Sequence, residues 1–176
     1  MIETDAAAAI RRALKSQYRA ALAMLGQAIR LCPEEVWEAR EHKNAFWQVA
    51  YHTLFFAHFY IQPDEAAFRP WKGHRAGSQY PDAIAGPPDP ESDLPLLPEP
   101  YSRAEVLDYW RFCEGMVDDA VDALDVLGRE SGFSWYPIPK LDHQLVNIRH
   151  IQHGAAQLAD RLRAAADAGI DWVGAG

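Results

Sequence analysis

Seven histidines carry most of the chemistry this sequence could perform: His42, His52, His58, His74, His143, His150 and His153. Imidazole serves as a metal ligand and as an acid–base group near neutral pH, so its spacing along the chain decides the reading. His143, His150 and Gln157 recur every seven residues, which on a helix places them roughly in line. His150 and His153 stand about one turn apart, and two imidazoles so placed can share a divalent ion when another helix supplies a third ligand. His52, in the middle of an uncharged stretch, is the natural third. Three neutral imidazoles with an open position describe a catalytic zinc-type site. His52 and His58 are six positions apart and point to different sides of a helix. His58 reads as a hydrogen-bonded core residue. His42 and His74 lie in polar surroundings and read as solvated surface.

Other chemistries find no support. A carboxylate-bridged di-iron bundle needs Glu-x-x-His pairs, and no histidine here has Asp or Glu three positions before it. HExxH, G-x-S-x-G, a P-loop and GxGxxG are all missing. The two cysteines, Cys32 and Cys113, form no CxxC, and their scarcity fits a reducing cytoplasm. Cys113 falls on an apolar stripe and reads as core. No general base stands out; Glu114, Asp118 and Asp119 read as a solvated run.

Four helices must position these groups. The first runs from a cap at Asp5 to about Leu31, with Ile10, Leu14, Tyr18, Leu22, Leu25 and Ile29 along one face. Pro33 ends it and opens a short helical turn through Trp37. The second, about Lys43 to Ile61, contains no Asp, Glu, Lys or Arg from Asn44 to Pro63. It is long enough to span a membrane, but Asn44, Gln48, His52, Thr53, His58 and Gln62 interrupt it, and it reads as a buried central helix. The third opens with a capping box, Ser102 with Glu105, and runs to about Gly128 along Val106, Trp110, Cys113, Val117, Val121 and Leu124. The fourth runs from Asp142 to about Gly169. Its apolar face carries Leu141, Leu145, Ile148, Ala155 and Leu162, with Gly154 on the inner side.

Between the second and third helices, nine of the chain's twelve prolines fall within residues 62–101. That density forbids a helix or an inner strand. Trp71, Tyr80, Leu94, Leu96 and Leu97 give this insertion apolar anchors over the helices, and together with Trp135 and Tyr136 it would roof the pocket above His52 and His150. No strand alternation or repeat is present. The expected fold is therefore all-α: one domain over residues 1–176, a four-helix bundle with a long Pro-rich insertion at 62–101.

Composition narrows the partners. The chain has 176 residues, 17 basic against 25 acidic, with a net charge of −8. A nucleic-acid surface would need the opposite balance. The acidic N-terminus has no basic segment followed by an apolar core and is no signal peptide. The expectation is a cytoplasmic protein with a small-molecule partner, no nucleic acid and no membrane.

Two segments, Trp47-Gln-Val-Ala-Tyr-His52-Thr-Leu-Phe-Phe-Ala-His-Phe-Tyr60 and Asn147-Ile-Arg-His150-Ile-Gln-His153-Gly-Ala-Ala-Gln157-Leu, together with the closing Trp172-Val-Gly, resemble the DinB/YfiT-like superfamily of small four-helix bundles. The resemblance covers the helices and not the Pro-rich insertion. It implies a mononuclear divalent metal held by three histidines, one on the second helix and two, four apart, on the last. His52 and His150 match two of these positions. The third falls on Gly154, which has no side chain; His153, a water or a loop residue would have to fill the place. The superfamily includes thiol-dependent transferases, isomerases and metal-dependent hydrolases, and many of its members are dimers. The resemblance thus implies a divalent metal (zinc, nickel or iron), a small substrate or thiol, and a homodimer. The alternative is a non-catalytic bundle with a degenerate metal site, acting as a binding or stress-related module in which His150 and Gln157 hydrogen-bond across the core.

Overall fold

The computed structural model describes residues 2–80 and 99–176; the side chains of residues 2–4 are not described. Leu94, Leu96 and Leu97, expected as anchors of the insertion, lie outside the described residues. The described chain is helical: α1 (Ile2–Leu31), α2 (Glu34–Trp37), α3 (Phe46–Tyr60), α4 (Arg103–Gly115), α5 (Val117–Ala123) and α6 (Lys140–Ala166). No strand occurs among the described residues. No described helix is long and apolar enough to cross a membrane.

Helix α6 packs on α1 and α3, α4 packs on the same two helices, and α5 continues the contact with α1. The apolar stripe of α1 accordingly buries Leu14, Tyr18, Leu22, Leu25 and Ile29. Gly26 makes room for the Trp110 ring of α4 against α1, since a Cβ there would lie 2.6 Å from it. That indole donates to the Leu22 carbonyl at 2.7 Å. The uncharged helix α3 is buried on almost every side, as a central element requires.

Several helix ends differ from the sequence reading. Helix α1 begins at Ile2, ahead of Asp5, and α6 begins at Lys140, with Pro139 rather than Asp142 at its start. The expected third helix divides at Met116, and its second part ends at Ala123, short of Gly128. The capping box at its start forms as read: the Glu105 amide donates to the Ser102 hydroxyl at 3.3 Å and the Ser102 amide to the Glu105 carboxylate at 2.8 Å. Leu145, assigned to the apolar face of α6, is 48% exposed. The buried stripe runs instead through His143, Gln144, Asn147, Ile151, Gly154, Ala155 and Leu158. Of the three polar residues at its N-terminal end, Gln144 and Asn147 serve the carbonyls of α3.

The candidate site: a histidine pair in the α3–α6 seam

Helices α3 and α6 pack antiparallel, so Tyr60 meets Gln144, Ala57 meets Asn147, Thr53 meets Gly154 and Asn44 meets Arg161. One end of this seam is closed by polar side chains. The last carbonyls of a helix have no partner within it. Here Gln144 donates to the Tyr60 carbonyl at 3.0 Å and Asn147 to the Ala57 carbonyl at 3.0 Å. Asn147 also donates to the Tyr18 hydroxyl at 2.9 Å, which in turn donates to Gln144 Oε1 at 2.6 Å. Burial holds the Tyr18 phenol protonated far above its ordinary range.

At mid-seam, Gly154 lies directly against α3. A Cβ at this position would lie 2.1 Å from Thr53 Oγ1. The Thr53 hydroxyl is itself fixed by donating to the Val49 carbonyl at 2.7 Å. The space in front of Gly154 is therefore occupied by a threonine from the facing helix.

Beyond this contact the seam opens into a cavity of about 300 Å³, lined by Asn44, Val49, His52, Thr53, His150, His153, Gly154, Gln157 and Arg161. His52 and His150 face one another across its inner end, their Nε2 atoms 3.3 Å apart and their ring centroids 5.2 Å apart. His52 Nδ1 lies 2.8 Å from the Gln79 carbonyl. A carbonyl only accepts, so Nδ1 carries the proton and Nε2 presents its lone pair to His150 in the neutral ring. Phe56 borders both imidazoles. His150 Nδ1 is buried and has no partner among the described residues. Burial first, then the adjacent His52 and His153, pushes the His150 imidazole down to about 4. His153 lines the same cavity from its exposed rim, as its outward position on the helix implies.

Whether these groups fit a metal can be tested on their geometry. Two imidazoles bound tetrahedrally at about 2.0–2.1 Å to one ion would stand about 3.3–3.4 Å apart at their nitrogens and about 5.2–5.3 Å apart at their centroids. A collinear N–H···N bond of the observed length would instead separate the centroids by about 5.6 Å. The His52–His150 pair meets the first description. The hydrogen bond from His52 Nδ1 to a backbone carbonyl is the outer contact that metal-bound histidines usually make. A full protein set is not assembled: among the described residues, no three His, Cys, Asp or Glu side chains form a group that could hold an ion. The two imidazoles thus stand relative to one another as two ligands of one cation would.

Comparison with known proteins finds no protein-family model, no curated protein and no solved structure that matches this chain. The functional reading therefore rests on the site.

The other histidines divide differently from the sequence reading. His42 is exposed, as expected. His74 is not solvated surface: it is half-buried, 2.8 Å from the Tyr51 hydroxyl and stacked on that ring. His58 is in the core, as read, bonded to the Tyr109 hydroxyl at 3.1 Å, and burial pushes it down to about 4. Trp135 and Tyr136 do not roof the histidine pocket. They pack tilted or edge-on against Phe59, Tyr60 and His143 at the closed end of the seam. Gln157 is exposed and lines the cavity instead of bonding across the core. The Pro-rich insertion does reach the site, through the Gln79 carbonyl. Gln79 and Arg161 escaped the sequence reading. A backbone carbonyl has no residue signature, whereas Arg161 is legible in hindsight, three helical turns beyond His150 on the same face.

Proposed function

We propose that this chain is a DinB-like four-helix bundle in which His52 and His150 hold one divalent cation for hydrolase or thiol-transferase chemistry on a small substrate. The observation that carries the reading is the convergence of the two Nε2 atoms, 3.3 Å apart, at the inner end of an open cavity. A bound divalent cation lowers the pKa of a water or thiol and makes it a nucleophile near neutral pH. The chain's own contribution is orientation. The Gln79 carbonyl fixes the tautomer of His52, Phe56 shields one side of both rings, and burial keeps His150 neutral with a lone pair to offer. An imidazole pair suits zinc, nickel and iron alike.

A second reading is favoured by Gly154 and Thr53. With the third ligand position filled by a threonine, the pair would be a plain His150 Nε2–H to His52 Nε2 hydrogen bond, and the protein a metal-free binding module. Tag-free protein, stripped with chelator and titrated with cobalt(II), separates the two by its visible absorption. One cobalt per chain is expected, lost in both His52→Ala and His150→Ala with helix content unchanged, and weakened less than about tenfold in the exposed His153→Ala. Absence of uptake, or full occupancy in either pair variant, overturns the cation reading.

A further inference from the structure

The far end of the histidine cavity carries chemistry that a cation at the pair does not use. Arg161 lies there, half-buried, with Nη1 donating to the Asn44 carbonyl at 2.7 Å. A guanidinium has five N–H donors, and no other side-chain partner of Arg161 occurs among the described residues. It makes no ion pair there either, whereas Arg19, Arg75, Arg103 and Arg111 each meet a carboxylate. The cavity wall reinforces the contrast. In a chain of net charge −8, its described residues supply three imidazoles, one guanidinium and two amides, and no carboxylate. On its other side Arg161 borders a hollow lined by Glu35 and Glu41, but neither is in ion-pair contact with it. A partly desolvated cation gains from a carboxylate that a ligand can supply.

We propose that the pocket takes a small organic carboxylate, its carboxylate on the Arg161 guanidinium and its other end toward His52 and His150. This rests on the reading above for what happens at the histidine end, but Arg161's part does not require the cation. The planar fork of one arginine matches a single carboxylate through two parallel hydrogen bonds. The Cα atoms of His150 and Arg161 are about 16 Å apart along α6, and the Arg161 side chain leans back toward the N-terminus and shortens that span. A cavity of about 300 Å³ suits a metabolite-sized molecule. Gln157, one turn before Arg161, supplies an amide on the same wall.

The test is calorimetric titration of the full chain with succinate and with its neutral analogue succinamide, at low ionic strength, beside the cobalt titration. Succinate is expected to bind one per chain and succinamide at least tenfold more weakly. Arg161→Gln should weaken succinate at least tenfold and leave cobalt uptake unchanged, while Arg161→Lys, which keeps the charge, should lose less. Gln157→Glu places an internal carboxylate one turn from Arg161 and should compete with succinate without touching the Asn44 contact. Equal binding of succinamide, or wild-type succinate affinity in both Arg161→Gln and Gln157→Glu, overturns the proposal. Succinate binding through Arg161 without cobalt uptake would remove the cation reading and leave this one; cobalt uptake with succinate indifferent to Arg161 would do the reverse.

Discussion

The two ends of the α3–α6 seam are built from the same pair of helices and treat their polar groups in opposite ways. At the closed end, Gln144, Asn147 and Tyr18 bond one another and carbonyls of α3, with Asn147 Oδ1 alone of that trio's atoms lacking a partner among the described residues. His143 is 0% exposed there, enclosed by the rings of Tyr60, Phe133 and Tyr136, with its Nε2 unpartnered among the described residues. At the open end, His52, His150 and Arg161 line a cavity. Polar groups that close a network stabilise a fold; groups of the same kind left facing a cavity are available to a ligand. Gly154 against Thr53 separates the two regimes.

The largest expected effect is that of acid. His58 and His143 have folded-state pKa values near 4, below the ordinary value of 6.5, because burial disfavours their charged forms. The unfolded chain therefore binds more protons between these values. Stability is full above about pH 6.5, falls as the pH drops toward 4, and levels below it, with each histidine contributing about 3 kcal/mol. Urea unfolding at pH 7, 6, 5 and 4 measures the slope, and His143→Phe should remove about one proton's share. An unchanged slope in that variant would show that His143 is not dry.

Next in size is Asn147→Ala, expected to cost about 2–3 kcal/mol because it strips the Tyr18 hydroxyl of a donor and leaves a void. A chemical-denaturation midpoint indistinguishable from wild type would dissolve the contrast between the two ends. Gly154→Ala should cost about 1–3 kcal/mol through the clash with Thr53, and most of that loss should disappear in the Thr53→Ala background. Additive losses in the double variant would mean that the helices are not in contact there. The smallest stability effect is expected at the open end, where His52→Ala and His150→Ala should each stay within about 1 kcal/mol of wild type. Thermal melts of the metal-free proteins check this; a collapse in either would assign the pair to the core.

Much of this was legible in the sequence where a local rule sufficed. The stripe of α1, the Ser102–Glu105 box, the burial of α3 and the inward position of Gly154 all follow from helical periodicity and capping chemistry. His52 and His150 were legible as candidates because each stands mid-helix and the last helix repeats its histidines. His74 was not, since its partner Tyr51 comes from 23 positions away and nothing in its polar neighbours announces that contact. Trp135 and Tyr136 went to the wrong end of the seam for the same reason: an aromatic pair in a connector shows that it will pack on other rings, not on which, and Trp135 stays 50% exposed where it does.

By itself the sequence determined that the described elements are helices, which face of each is apolar, and which imidazoles share those faces. Those properties depend on neighbours within one or two turns. The tertiary structure alone decided that His52 and His150 meet at 3.3 Å, that Thr53 fills the space before Gly154, and that Arg161 joins their cavity. Each of these depends on the antiparallel register of α3 against α6, and that register is set by packing between residues about a hundred positions apart, where local periodicity carries no information.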